Sequence, residues 1–163
     1  RKCNPAGAPA CGAGYSLATP SPVRNRPMHP KDLQDFAARY TDAWCSQDAA
    51  SVAAFFAPDG LLTINGGSPN LGRVAITASA EGFMVAFPDL LVEMNGLDVD
   101  GERVVYRWTL TGTNTGPGGT GRRVGIKGSE TWTFGPDALV ARSVGAYDAA
   151  DYHRQLHGAP AGA

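Results

Sequence analysis

The sequence has no long apolar run and no excess of charge of one sign. No stretch approaches the roughly 20 apolar residues that a membrane-spanning helix needs, so we expect no membrane contact. Lys and Arg number 14 and Asp and Glu number 15, which gives a net charge of −1 over 163 residues. A nucleic-acid-binding domain carries a basic stripe, so we expect no nucleic-acid partner either.

Cysteine is scarce: Cys3, Cys11 and Cys45 make an odd count of three. Three cysteines are too few for a disulfide framework. The spacing of Cys3 and Cys11 suits a small loop closed in an oxidising compartment, and free thiols in the cytoplasm fit equally well. We expect a cytoplasmic protein.

Several catalytic and metal-binding motifs are missing. No Gly-x-Ser-x-Gly elbow occurs, which leaves a hydrolase triad without support. The glycine-rich segment 116–121 lacks the Gly-Lys-Ser/Thr ending of a phosphate loop. His153 and His157 have the i, i+4 spacing of helical metal ligands, but no third ligand is near them in the sequence. We therefore predict no metal site and no cofactor.

The N-terminal segment differs in composition from the rest of the chain. Residues 1–27 hold five prolines and four basic residues and no acid. This composition cannot bury enough apolar area to offset the entropy of ordering. We therefore predict a flexible basic tail over residues 1–28, one domain over 29–157, and a flexible C-terminus over 158–163.

Helical patterns come first within the domain. Apolar residues recur every three or four positions after Pro30 and predict an amphipathic helix; they are Leu33, Phe36, Tyr40 and Trp44. Asp48 is a candidate N-cap for a short helix that carries Val52, Phe55 and Phe56 and stops at residues 58–60. A third helix is predicted over about 71–86, and a short terminal one over 149–157.

Strand patterns follow the helices. We predict strands over residues 61–65, 90–95, 104–113, 123–134 and 139–148. Helices followed by a run of antiparallel strands are typical of an α+β domain, with the helices packed on one face of a curved sheet. Such a sheet leaves a cone that is open at one end, and small ligands bind in concavities of this kind.

One carboxylate falls on an apolar strand face. Alternation along 123–134 puts Glu130 on the same side as Trp132 and Phe134. A carboxylate is seldom buried without a partner, so Glu130 either meets a donor or lines a cavity with a raised pKa. Asp148, after the last strand, is either a helix N-cap or a second acid at the cavity mouth. Two carboxylates in one cavity can divide acid and base work.

Two segments carry a family resemblance. Residues 107–123 contain Gly-Thr-Asn-Thr-Gly, a Gly/Pro loop and Thr-Gly-Arg, and Asp148 to Leu156 has an Asp-(six residues)-Gln-Leu ending. Both resemble the SnoaL-like polyketide cyclase family of the NTF2-like superfamily, over roughly residues 29–157, although Asn114 stands where that family commonly has His. The resemblance implies a curved antiparallel or mixed sheet wrapped around about three helices, and pairing of two copies through the sheet. It also implies cyclisation by a pocket Asp without metal or cofactor, and Asp148 is the Asp that matches the closing motif.

Together these features predict a cofactor-independent enzyme that cyclises or isomerises a hydrophobic carbonyl compound. Asp148 is the expected acid/base and Glu130 the second carboxylate. Aromatic side chains are expected to bind the substrate, namely Tyr40, Trp44, Phe83, Phe87, Trp108 and Trp132. Two alternatives stay open: a non-catalytic ligand-binding or dimerisation module, and an epoxide hydrolase of the limonene-epoxide-hydrolase type, which needs an Arg and two acids in the pocket.

Overall fold

The computed structural model describes residues 28–158, so nearly all of both predicted flexible termini, and with them Cys3 and Cys11, lie outside the described residues. The helices are α1 (Pro30–Cys45), α2 (Ala49–Ala53), α3 (Gly72–Ala86) and α4 (Ala149–His157). The strands are β1 (Phe56–Ile64), β2 (Asn70–Leu71), β3 (Leu91–Asp100), β4 (Arg103–Thr113), β5 (Arg123–Phe134) and β6 (Val140–Tyr147). None of the helices in this range is long and apolar enough to cross a membrane.

The six strands form one curved, unclosed mixed sheet in the order β2-β1-β6-β5-β4-β3. Neighbouring strands pair antiparallel throughout the sheet, except that β1 and β6 run parallel. The predicted α+β class is therefore confirmed, with the terminal helix α4 added to the three helices that the cone was expected to hold.

Helix α1 packs its apolar stripe onto the concave face of the sheet. Pro30 occupies the first turn, where its missing N–H costs nothing. The buried stripe consists of Leu33, Phe36, Ala37, Tyr40, Ala43 and Trp44. Asp48 caps α2 as predicted, because its carboxylate accepts a hydrogen bond from the backbone N–H of Ala50 at 3.1 Å.

The start of the sheet corrects the prediction for residues 55–65. Helix α2 ends at Ala53, and β1 already begins at Phe56 instead of after residue 60. Pro58 lies inside this strand, and the register against β6 shifts between Phe56 and Leu61. A bulge accommodates the proline because it removes the requirement for a ladder hydrogen bond at that position.

Strands β4 and β5 show the predicted alternation. Tyr106 and Leu110 are buried on the concave face, whereas Arg107 is exposed. Gly128 of β5 lies opposite Trp108, and a Cβ there would come within 2.5 Å of the Trp108 ring and 2.7 Å of the Ala146 carbonyl oxygen. Glycine at this position therefore allows the indole to lie flat against β5.

Candidate functional site

A mostly apolar cavity lies between α1, α3 and the concave face of the sheet. Its aromatic wall consists of Trp44, Phe83, Tyr106, Trp108 and Tyr147, and Glu130 supplies the carboxyl group of the lining. The cavity is small, with a volume of about 50 Å³ that is open to water. One water molecule requires roughly 10–15 Å³. An apolar cavity of about 150 Å³ holds a benzene ring, so a guest of one ring would extend from this space through the open side of the cavity.

Three uncharged donors hold the Glu130 carboxyl group, whose residue is only 7% exposed. The Ser143 hydroxyl donates to Oε2 at 2.7 Å, and the Trp132 indole N–H donates to the same oxygen at 2.9 Å. The Tyr40 hydroxyl lies 3.1 Å from both carboxyl oxygens and donates to them. None of these partners carries a positive charge.

Burial raises the pKa of Glu130 above its ordinary value. Desolvation is the largest cause, because the charged form loses its water, and the hydrogen bonds from Trp132, Ser143 and Tyr40 lower the pKa by less. A raised pKa brings a carboxyl group closer to the neutral range in which acid and base roles can alternate.

The two oxygens of Glu130 are not equivalent. Oε2 accepts from both Trp132 and Ser143, and an indole N–H can only donate. Oε1 has the Tyr40 hydroxyl alone, which it shares with Oε2. Because Oε1 keeps unused acceptor capacity, it is the oxygen on which a proton can be gained or lost without breaking the other bonds.

The aromatic residues predicted to bind substrate fall into two groups. Trp44, Phe83 and Trp108 lie in the cavity wall. Tyr40 and Trp132 are fully buried behind it and hold Glu130 in place. Phe87 is also buried outside the lining, where it packs against Tyr152 with ring centroids 6.3 Å apart.

The structure does not place Asp148 in this cavity, which corrects the expectation that two carboxylates share it. Asp148 is exposed and caps α4, because its Oδ1 accepts a hydrogen bond from the Asp151 N–H at 2.9 Å. A side chain directly before a helix is well placed for this bond, so the capping alternative describes its position.

Other residues of the family-like segments hold the scaffold together. Asn114 donates to the Ala86 carbonyl at 3.1 Å and accepts from the Thr120 N–H at 2.7 Å, which fixes the β4–β5 loop on the end of α3. Gln155 binds both the N–H and the carbonyl of Gly125 at 2.7 and 2.9 Å. Gly125 lies past the end of β6, so Gln155 of α4 satisfies a strand edge that has no neighbour there.

Two residues of the site, Ser143 and Gly145, are not indicated by the sequence pattern. Both face the concave side of β6, where Ser143 contacts Glu130 and Gly145 pairs directly with it. Strand β6 lacks a regular apolar alternation, so its pattern did not indicate which residues face inward. Between residues 28 and 158 no group of three or more His, Cys, Asp and Glu side chains could hold a metal ion.

The fold and the cavity define the class of this protein: an α+β cone of the NTF2-like type with a carboxyl group buried in its wall. The SnoaL-like domain family matches residues 37–143, and the chain belongs to that family. No curated protein matches the chain significantly in sequence.

Solved structures share the fold at low sequence identity. A candidate SnoaL-like polyketide cyclase from Jannaschia sp. CCS1 is 20% identical with a TM-score of 0.70, covering 82% of this chain and 98% of its own. A protein with a ketosteroid isomerase-like fold from Catenulispora acidiphila, in complex with trimethylamine, is 15% identical with a TM-score of 0.68 and coverages of 77% and 94%. SalBIII, an epoxide hydrolase/cyclase-like enzyme of pyran ring formation in salinomycin, is 18% identical with a TM-score of 0.63 and coverages of 74% and 94%.

Proposed function

We propose that this protein is a cofactor-independent enzyme that transfers a proton on a compact, hydrophobic carbonyl compound and thereby isomerises or cyclises it. The observation that carries the proposal is a single carboxyl group in an otherwise apolar wall, desolvated and held by three uncharged donors. Glu130 is the acid/base of the proposed reaction. Asp148 has no part in it because its carboxylate caps α4.

The proposed step is a proton abstraction next to the carbonyl. Oε1 of Glu130 takes the proton, so the C–H bond breaks and an O–H bond forms, while the electron pair moves through the carbon skeleton onto the carbonyl oxygen. The resulting enolate then takes the proton back at another carbon, which is isomerisation. Alternatively it attacks a second carbonyl group in the same molecule, which then takes the proton, and this closes a ring. Positioned general bases of this kind contribute about 10²–10⁴-fold in rate.

The test is hydrogen exchange in D₂O into the carbon next to the carbonyl of small ketones such as acetophenone and cyclohexanone, followed by NMR. We expect the protein to accelerate exchange and Glu130→Gln to lose about 100-fold or more of that acceleration. Gln is isosteric: its carbonyl can take the place of Oε2, and its amide group can donate to Tyr40 from the place of Oε1.

Asp148→Asn is the matched control, because Asn is as good an N-cap as Asp while it removes the second predicted acid. We expect this variant to keep wild-type exchange. Loss of exchange in Asp148→Asn with full exchange in Glu130→Gln would reverse the two assignments and reject the proposal.

A non-catalytic binding module is the second candidate, favoured by the three donors that hold Glu130, since such hydrogen bonds also suit a purely structural carboxyl group. Saturable ketone binding without any exchange above the buffer rate would support it. The epoxide-hydrolase alternative needs an Arg and two acids in the pocket. It has less support, because the described lining of the cavity contains neither an Arg nor a second acid beside Glu130.

Pairing of two copies through the convex face of the sheet remains a proposal. That face presents the exposed side chains of Arg107 and Lys127 together with the half-exposed Thr109, Thr111 and Thr131. Val144 of β6, which is 40% exposed, lies on the same face as its pairing partner Thr131. Light scattering of the wild type and of Val144→Glu tests it, with a dimer expected for the first and a monomer for the second.

A further inference from the structure

The indole N–H of Trp108 is a buried donor without a partner. Within residues 28–158, this nitrogen is the one buried side-chain nitrogen or oxygen atom that makes no hydrogen bond. Leaving such a group unpaired costs about 1–3 kcal/mol. Trp108 lines the same cavity as Glu130, so a small rotation of the indole that turns this N–H towards the cavity would let a guest with an acceptor recover part of that cost.

The other two tryptophan side chains do not share this property. Trp132 donates to Glu130 at 2.9 Å. Trp44, in the same cavity wall, packs edge-on against Tyr40 with ring centroids 6.4 Å apart, and its N–H is not among the buried unpaired donors of the described residues. An unpaired N–H is therefore specific to Trp108 and does not come from the tryptophan content of the cavity.

Trp108 and Glu130 are diagonal neighbours on the concave face. Glu130 pairs with Tyr106 across β4 and β5, and Trp108, two residues farther along β4, pairs with Gly128. Diagonal side chains on neighbouring strands start about 7–8 Å apart. At this separation aromatic and long side chains still reach one another, so Trp108 and Glu130 can contact the same compact guest.

Gly145 leaves free space beside the Glu130 side chain. It pairs with Glu130 across β5 and β6 and lines the cavity. A Cβ at this position would lie 3.8 Å from Cγ of Glu130 and 3.7 Å from Cγ1 of Ile64, which are ordinary contact distances. The absent side chain therefore provides space next to the carboxyl group that no neighbour fills.

From these placements we infer that Trp108 binds the carbonyl oxygen of the substrate through its indole N–H, so that the adjacent carbon faces Oε1 of Glu130 through the space left by Gly145. The inference rests on the proposed function and adds the substrate class to it. The guest is a compact, uncharged ketone or enone of about one ring with its oxygen at the Trp108 end. Trp108 is a binding and orienting residue, and Glu130 carries out the proton transfer.

The test compares two probes of equal heavy-atom count, acetophenone and isopropylbenzene, in which a methyl group replaces the carbonyl oxygen. Binding is followed by ¹H–¹⁵N NMR of the three tryptophan indole groups, with the Trp108 signal assigned by its loss in Trp108→Phe. We expect acetophenone to shift the Trp108 indole proton downfield. Isopropylbenzene should shift it much less.

Affinities provide a second readout that is independent of catalysis. The ratio of the two dissociation constants removes the difference in hydrophobicity between the probes. We expect Trp108→Phe to reduce the preference for acetophenone by about two- to ten-fold relative to wild type, the range for one neutral hydrogen bond. Trp44→Phe removes an indole from the same wall whose N–H is not a buried unpaired donor. It should change both dissociation constants by a similar factor and leave their ratio unchanged.

Each outcome decides between the two proposals. An unchanged ratio in Trp108→Phe, or equal shifts of its indole proton by both probes, overturns the role of Trp108 and leaves Glu130 untouched. If neither probe at its solubility limit moves the methyl signals of Ile64, Val92 and Ile126 in the wall, the cavity does not take a guest of this size. The proposed function then fails with the inference.

Discussion

Glu130 shows how a sheet keeps a carboxyl group away from water without a cation. Its donors come from three separate elements: Tyr40 from α1, Trp132 from the same strand, and Ser143 from β6. Neutral donors stabilise the charged form less than a guanidinium would, so desolvation prevails and the pKa stays raised. A salt-bridged carboxylate would instead have a lowered pKa and would be a weak base.

Ser143→Ala tests how hydrogen bonds and desolvation together set the pKa of Glu130, because it removes one donor and little else. In Ser143→Ala, Oε2 keeps the Trp132 N–H and the shared Tyr40 hydroxyl but loses its shortest hydrogen bond, so the ionised form of Glu130 is less stable and the pKa rises further. The folded state should also lose about 1–3 kcal/mol because one buried acceptor is left short of a partner. Urea unfolding and the pH profile of ketone exchange measure both effects.

The control for this change is Ser129→Ala on β5. Ser129 is adjacent to Glu130 in the chain but belongs to the opposite, convex face of the strand. We expect its unfolding free energy to stay within about 0.5 kcal/mol of wild type. Equal losses in both variants would mean that the hydrogen bond from Ser143 has no special weight.

Two inward-facing glycines should respond oppositely to the same substitution. In Gly145→Ala the new Cβ meets only ordinary contacts, so stability should hold while ketone exchange falls at least ten-fold as the space beside Glu130 narrows. In Gly128→Ala the Cβ would overlap the Trp108 ring and lie 2.7 Å from the Ala146 carbonyl oxygen, and overpacking should cost about 1–3 kcal/mol. Thermal unfolding and exchange rates, measured side by side, separate the two effects.

At the scale of the elements, helix α4 carries a sequence motif whose residues stabilise the fold. Asp148 caps its first turn, and Gln155 binds the free edge of β5 through the two backbone groups of Gly125. Both residues belong to the ending that resembles the family pattern, and the resemblance suggested catalysis for the first of them. A motif can persist because it docks a helix, so its sequence alone does not separate a capping acid from a reacting one.

Replacing Gln155, which binds Gly125 at the edge of β5, tests the structural role of α4. We expect Gln155→Leu to free the Gly125 amide for hydrogen exchange and to loosen α4, while the central strands keep their protection. Native-state exchange measured by NMR gives the protection of each amide. His153→Ala on the exposed side of the same helix serves as the control, and equal loss of protection at Gly125 in both variants would contradict the prediction.

How much of the fold follows from the sequence depends on how periodic each element is. The spacing of apolar residues located α1 and α3, and alternation located β4 and β5 within a residue or so. Strand β1 was predicted too short because Pro58 and Gly60 indicate a stop, and only the partner strand β6 makes a bulge there favourable. Local signals do not contain that information.

The candidate site also has one part that local sequence patterns indicate and another that depends on long-range packing. Glu130 could be singled out because alternation places it on an apolar face. Its partners Tyr40, Trp132 and Ser143 lie 90, 2 and 13 positions away in the sequence, and their convergence depends on how α1 and β6 pack. Alternation also gives the face of an aromatic residue but not its depth, so the sequence does not separate Tyr40 and Trp132, which lie behind the wall, from the aromatic residues that line it.

At the scale of the whole molecule, the raised pKa of Glu130 has a consequence for stability. Below the ordinary value of 4.5 the group is neutral in both the folded and the unfolded chain. As pH rises from there towards the folded pKa, the unfolded chain ionises first, so stability falls through this window. Asp48 and Asp89 act in the opposite sense, since hydrogen bonds lower their pKa values.

The difference between wild type and Glu130→Gln isolates this contribution. We expect the free energy of unfolding of the variant, relative to wild type, to increase as pH is raised from 4 to 8, because Gln cannot ionise. Urea unfolding at each pH measures it, and the two exposed Asp residues cancel in the difference. A gap that stays constant across this range would show that the pKa of Glu130 is not shifted by folding.

The parallel pairing of β1 with β6 bears on how the chain is made. Residues 56–64 find their central partner only at residues 140–147, so the ribosome must add about 80 more residues before the sheet can close. At roughly 5–20 residues per second this takes several seconds, during which an apolar strand has only the two-residue β2 beside it. Such late, long-range pairing slows folding and exposes the nascent chain to aggregation. A circular permutant whose translation begins at β6 and reaches β1 soon afterwards should therefore give a higher yield of native protein.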